Sequence, residues 1–269
     1  MQNRDLREGV LCEMKHSVSH SLYVRQAGPA DAPVIVFVHG QGGSGAMWQP
    51  QFERLPDFHC LAPDLPEHGQ SADVAPFTLK DASQRVAALI RQTSPHGRAH
   101  VMGLSMGASV IVQMVCDVPE VIDHALISGA ALRLHPAVAA LNTRWAFVSP
   151  EQLAAVLFSS FHIPKEYRHL LYEGVRMVKP TAFLHFAYEL TQIQLPHRAP
   201  VPTLITVGEK ESFAAKYGAH QMKTRIAGAK GAIVTGVGHI WSLEAADLFT
   251  QTVRAWATDA PLPPALIPF

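Results

Sequence analysis

Short, uninterrupted apolar runs alternate along the chain with longer stretches in which apolar positions recur every three to four residues. Val34–Val38 reads VIVFV without a polar break, the pattern of a strand covered on both faces. Shorter runs at residues 59–62, 100–102, 125–128, 203–207 and 232–235 read as further strands, and residues 10–15 with 22–26 as an amino-terminal hairpin. Between them, Leu79–Thr93 and residues 106–116 and 240–257 carry helical periodicity. The 106–116 segment is apolar nearly all round and so predicts a buried helix. Strands alternating with helices predict an α/β fold, a mostly parallel central sheet flanked by helices.

From residue 131 to residue 200 the rhythm stops, leaving helix-like pieces at Pro150–Ser160, 165–178 and 180–194. A structureless loop of that length does not belong inside a compact domain, so the segment predicts a helical insertion. The expected organisation is a core made of residues 1–130 and 200–269, interrupted by helices at 131–199. Most aromatic residues of the insertion, Trp145, Phe147, Phe183 and Phe186 among them, are expected to pack its own core, with a few left to line a pocket. The proline-rich end, residues 261–269, reads as a surface strap without regular structure.

A length of 269 residues suits one such domain with its insertion, and 48% hydrophobic residues supply a sizeable core, which excludes a chain disordered throughout. With 22 Lys+Arg against 22 Asp+Glu there is no overall pull toward phosphate polymers or anionic membranes, so nucleic acid is not an expected partner. Cys12, Cys60 and Cys116 form no CxxC and no disulfide framework, and free thiols point to a reducing, cytoplasmic location. The charged start carries no apolar run of a secretory signal. The most apolar helix has about half of the roughly 20 residues that a bilayer span needs, so no membrane span is expected.

Gly103-Leu104-Ser105-Met106-Gly107 matches G-x-S-x-G and lies between a predicted strand and the predicted buried helix. A sharp strand-to-helix turn drives its middle residue toward positive φ and crowds the neighbours, a clash that glycine on either side relieves. The serine hydroxyl then stands above the sheet edge at a helix amino terminus, where unpaired N–H groups favour developing negative charge. Upstream, His39-Gly40-Gln41-Gly42-Gly43-Ser44-Gly45 directly follows the Val34–Val38 strand. It lacks the G-x-x-x-x-G-K-[ST] phosphate-loop pattern, and no lysine follows Gly45, so it reads as a loop that donates a backbone N–H to an oxyanion. The second donor position falls on Met106, immediately after the serine. Cys12, His16 and His20 recur every four residues but lie in the predicted hairpin without a fourth ligand, so no metal is expected.

Met in order from His39 to His239, these motifs resemble the α/β-hydrolase superfamily in its small, cap-bearing serine esterase-like branch. The run from Asp64 to Ser71, DLPEHGQS, is similar to the family's D-x-P-G-H-G-x-S turn, with Glu67 in place of the usual glycine, and is read as structural. The resemblance implies the α/β-hydrolase fold, assigns the insertion as a cap after the sixth strand, and makes the N–H groups of Gln41 and Met106 the oxyanion hole. It implies Ser105 as nucleophile, His239 as base and Glu211 as the triad acid, at a position where the family usually writes aspartate. Glu209 is the alternative acid, and a solvated loop carboxylate is the plain account of either. Some relatives place the acid after the sixth strand, but Ser128-Gly129-Ala130 has no carboxylate there. Among 15 histidines, His239 stands out because a glycine-flanked loop at a strand's carboxyl end suits a base over the sheet, whereas His39 is expected to be a structural hydrogen-bonder.

The implied activity is hydrolysis of a small-molecule, apolar carboxylic ester through an acyl-enzyme, with no metal or organic cofactor. The same residues would serve a carbon–carbon bond hydrolase, a thioesterase or a lactonase; relatives that cleave halides or epoxides carry an aspartate at the elbow. A ligand receptor that keeps the triad without turnover is the alternative from another class.

Overall fold

The computed structural model describes residues 21–269. Residues 10–15 of the predicted hairpin, and Cys12, His16 and His20, lie outside the described residues.

Among the described residues, eight strands form one sheet. They are β1 (Val24–Ala27), β2 (Val34–Val38), β3 (His59–Pro63), β4 (Ala99–Leu104), β5 (Ile122–Ser128), β6 (Thr203–Gly208), β7 (Lys230–Val234) and β8 (Leu266–Pro268). Their order is β1-β3-β2-β4-β5-β6-β7-β8, with the inner strands parallel and the edge strands β1 and β8 antiparallel to their neighbours. The helices, in chain order, are α1 (Gln49–Arg54), α2 (Leu79–Thr93), α3 (Met106–Asp117), α4 (Pro136–Ala139), α5 (Pro150–Ser160), α6 (Arg168–Met177), α7 (Pro180–Glu189), α8 (Phe213–Arg225), α9 (Trp241–Glu244) and α10 (Ala246–Ala257).

The continuous apolar runs serve two cores at once. Along β2, Val34, Val36 and Val38 enter the layer closed by α2, α3 and α8, while Ile35 and Phe37 enter the layer closed by α1, α9 and α10. The predicted burial of α3 is observed, with Met106, Ala108, Val110, Ile111 and Met114 fully enclosed. In α2 the Thr78 hydroxyl caps the first turn by accepting the Asp81 N–H at 3.0 Å, and Leu79, Ala82, Val86 and Ile90 form its buried stripe.

The insertion between β5 and β6 is helical, as expected: α4 to α7, together with a 3-10 stretch at Ala140–Phe147. Among the described residues the insertion follows the fifth strand, β5; the expectation of a sixth counts residues 10–15, which lie outside the described residues. α5 opens with a capping box, in which Ser149 and Gln152 each accept the other's backbone N–H at 3.3 and 3.1 Å. The aromatics do not form one private core. Phe186 leaves the insertion to meet Phe77 edge-on at 6.0 Å, and Phe147 is 83% exposed.

Three local expectations change. The 240–257 helix breaks at Ala245 into α9 and α10, because Trp241 is tied to the end of β5 and Glu244 to the loop after β7. The 180–194 helix ends at Glu189 and gives way to turns, in which Thr191 and Gln192 N–H groups close on Tyr188 and Glu189 carbonyls. Part of the proline-rich end is not irregular: Leu266–Pro268 pairs antiparallel with β7 as an edge strand, where a proline without an N–H is tolerated. No helix among the described residues is long and apolar enough to cross a membrane.

Candidate active site

From β2 the chain passes to β3 on one side, while the next strand, β4, lies on the other. The carboxyl ends of β2 and β4 therefore flank the point where strand order reverses, the place where open α/β sheets leave a crevice. The glycine loop leaves β2 there, and the elbow leaves β4.

Ser105 takes φ +57° and ψ −115°, is partly exposed, and donates its backbone N–H to the Ser128 carbonyl at 2.8 Å. The flanking glycines are required by close approach. A Cβ on Gly107 would lie 2.1 Å from the Val38 carbonyl oxygen, and one on Gly103 would lie 2.6 Å from the Gly107 carbonyl carbon. A Cβ on Gly40 would lie 3.4 Å from that of Ser105, so the glycine loop passes within van der Waals reach of the serine. Met106 opens α3, in the first turn whose N–H groups have no partner inside the helix.

Glu211 and His239 are brought together from loops that follow β6 and β7. Glu211 Oε2 meets His239 Nδ1 at 2.7 Å, while Oε1 accepts the Gly208 N–H at 2.9 Å. Burial pushes the Glu211 carboxyl up, but the hydrogen bond and charge of His239, with the Gly208 N–H, outweigh it and hold the group below the ordinary glutamate range. With an ionised acceptor on Nδ1, that nitrogen carries the proton and a neutral ring presents its Nε2 lone pair. Glu209 is directed elsewhere, accepting the Gly236 N–H at 2.7 Å.

Two further residues shape this corner: Gly129, to which the sequence assigned no role, and Phe161, one of the insertion aromatics of which a few were expected to line a pocket. Gly129, at φ +64°, abuts the imidazole, and a Cβ there would lie 2.7 Å from His239 Cε1. Phe161, at the end of α5, stacks obliquely over the same ring at 5.4 Å between centroids. A glycine directly after a strand that faces the histidine loop was the available signal for the first; no local pattern marks the second. The Trp241 indole N–H donates to Ser128 Oγ at 2.8 Å, tying the segment after His239 to the end of β5.

The turn read as structural behaves as one. Asp64 accepts the Gly45 and Gln70 N–H groups at 2.6 and 2.8 Å. His39 Nε2 accepts the Leu65 N–H at 2.9 Å, so its Nδ1 carries the proton and donates to the Gly40 carbonyl at 2.8 Å. Burial lowers His39 to about 4; His68, buried and close to His39, falls to about 3. Unfolded histidines titrate near 6.5, so below that pH the unfolded chain binds more protons and the native state loses stability. That loss is expected to grow as the pH falls from about 6.5 toward 4, on the order of 3 kcal/mol in full for His39 alone. Urea midpoints at pH 7 and pH 5 measure it, and equal midpoints would contradict it.

Among the described residues, no group of three His, Cys, Asp or Glu side chains is arranged to hold a metal. Cys60 is buried and its thiol is pushed up to about 12, which removes it as a nucleophile. A cavity of about 320 Å³ lined by Leu132, Arg133, Ile193, Leu195, Pro196, His197 and Arg225 involves none of the candidate site residues.

Residues 35–252 match the profile of the alpha/beta hydrolase family. An AB hydrolase superfamily protein of Gibberella zeae is 34% identical over 97 residues, 35% of this chain and 34% of that protein. The chain spans about a third of the length of the first curated relatives it matches. The carboxylesterase YbfK of Bacillus subtilis is 26% identical over 249 residues, 87% of this chain and 83% of that protein. Among solved structures, the enol-lactonase from Burkholderia xenovorans LB400 superposes with a TM-score of 0.75 at 25% identity, covering 88% of this chain and 96% of that one. With 218 consecutive residues matched, this chain belongs to the alpha/beta hydrolase family.

Proposed function

We propose that the chain is a serine hydrolase that cleaves small, apolar carboxylic esters through an acyl-enzyme. One chain of contacts carries this reading. Ser105, held at φ +57°, is bonded through its N–H to Ser128; the next residue, Gly129, abuts His239, which is paired with Glu211 at 2.7 Å.

In the proposed reaction His239 Nε2 takes the proton from Ser105 Oγ as that oxygen attacks the ester carbonyl carbon. The carbonyl π pair moves to oxygen, and the resulting oxyanion is met by the N–H groups of Gln41 and Met106, each worth on the order of 10²–10³ in rate. Collapse expels the alcohol, protonated by His239. Water, deprotonated by the same nitrogen, then attacks the acyl-serine, and the second tetrahedral intermediate collapses to the acid as His239 returns the proton to Ser105 Oγ. Glu211 keeps the imidazole in the required tautomer and stabilises the imidazolium. These steps use no metal or organic cofactor.

Residues 131–199 serve as the cap in this reading, with Leu153, Phe161 and Phe183 supplying apolar walls beside the glycine loop and the histidine. The esterase and the enol-lactonase among the similar proteins support ester chemistry, and because a lactone is a cyclic ester the same steps would open one. A fluorophosphonate probe is expected to label Ser105, and p-nitrophenyl esters and lactones are to be assayed for repeated turnover on the same preparation. Labelling at another residue, or none on active protein, would refute the nucleophile assignment. A single-turnover burst would favour a receptor.

A further inference from the structure

Glu67 stands where the similar turn carries glycine, and it keeps the glycine-like backbone, φ +65°. For a non-glycine residue that conformation costs on the order of 1 kcal/mol. Its side chain is also 2% exposed, and a buried carboxylate persists only when hydrogen-bonded. The bonds it makes go largely to one element, α7. Oε1 accepts the Thr181 hydroxyl at 2.6 Å, and Oε2 meets His185 Nδ1 at 2.7 Å and accepts the Phe77 N–H at 3.1 Å. The Glu67 carbonyl accepts the Lys179 N–H, just before α7, at 2.8 Å.

Thr181 and His185 lie four residues apart, on one face of the helix. Phe183, between them, points away from that face. A Cβ on Gly42 would lie 3.8 Å from the Phe183 ring and from Leu153, so the phenyl group sits against the glycine loop next to Gln41. The other charged groups at this junction act along the same helix: Lys179 pairs with Asp73 at 3.2 Å, and Glu189 accepts the Leu79 N–H at 2.8 Å. His68, the chain neighbour of Glu67, is held neutral by burial.

We propose that Glu67 is a positioning residue: through Thr181 and His185 it fixes the rotation of α7 and thereby seats Phe183 as the wall of the acyl site beside the oxyanion loop. The substrate half of this proposal rests on the ester reading above. Loss of the seat lets the wall drift, and an ångström of drift is enough to change how a longer acyl chain is held, whereas an acetyl group offers the wall little to hold.

The test compares Glu67→Gln, Phe183→Ala, the double variant and Thr181→Val, each checked for folding by its melting temperature. Hydrolysis of p-nitrophenyl acetate and hexanoate is measured on all four. Glu67→Gln is expected to lower the hexanoate-to-acetate ratio of kcat/KM about tenfold, mainly through KM, with Thr181→Val moving it the same way by less. In the Phe183→Ala background the Glu67 substitution should leave the ratio unchanged, because both act through one contact. A ratio unaltered in folded Glu67→Gln, or the same drop with and without Phe183, would overturn the proposal. Amide exchange supplies a readout independent of turnover. Residues 180–189 and 40–44 are expected to exchange faster in Glu67→Gln than in the wild type, and unchanged exchange overturns the seat whatever the substrate. A wild type that cleaves neither ester defeats the ester reading and, with it, the substrate half of the proposal, while exchange still decides the seat.

Discussion

Ser105→Ala is expected to reduce ester hydrolysis by about 10⁴–10⁶ in kcat, leaving only the residue of activity that bound substrate and oxyanion donors provide over water. The size of the loss follows from the proposed role: without the hydroxyl no acyl-enzyme would form, and the imidazole would have no nucleophile to activate. The substitution should not disturb the fold. Alanine has almost the same backbone cost as serine at φ +57°, the Ser105 N–H bond to Ser128 is a main-chain bond, and α3 begins one residue later. Melting temperature and progress curves on one preparation check both halves. A variant of wild-type stability that retains turnover would show that the elbow serine is not the nucleophile.

The second large effect separates two carboxylates only two residues apart. Glu211→Gln is expected to lower kcat on the order of 10⁴, by analogy with other triads in which the acid becomes an amide. Glu209→Gln is expected to stay within a few-fold. The difference is geometric. Glu211 uses one oxygen for the Gly208 N–H and the other for His239. A glutamine that keeps its oxygen on Gly208 turns its NH₂ toward Nδ1, which must then offer a lone pair. The ring proton moves to Nε2, and the base proposed for Ser105 is gone. At position 209 the amide oxygen can still accept the Gly236 N–H, so the loop keeps its shape. Steady-state kinetics of the two variants provide the measurement, and the reverse ranking would move the acid two residues upstream.

How much of this was legible depended on how local each requirement is. The elbow could be read because it lies within five consecutive residues, and their backbone geometry is what calls for the glycines. The structure adds that what Gly107 avoids is the last carbonyl of β2, 69 residues upstream at Val38. Glu211 could be preferred to Glu209 only by family register, since spacing does not tell which carboxylate faces a histidine 28 residues further along. Periodicity alone predicts one helix over 240–257, yet Trp241 and Glu244 are claimed by Ser128 and Gly238 and the helix breaks between them and α10. Likewise, β8 was hidden in a proline-rich tail because pairing with β7, and not its own propensity, makes it a strand.

By itself, then, the amino-acid sequence determined the alternation of strands and helices, the burial of α3, the tight bend at Ser105 and the helical nature of the insertion. Each of these is set by hydrophobic period or backbone sterics over a few neighbouring residues. Only the tertiary structure decided that β3 and β4 lie on opposite sides of β2, that Gly129 leaves room for the imidazole, that Glu211 faces it, and that Glu67 reaches up to grip α7. Those arrangements join groups far apart in the chain, and a contact of that kind is selected by the packing of the whole sheet and its helices, which no local pattern encodes.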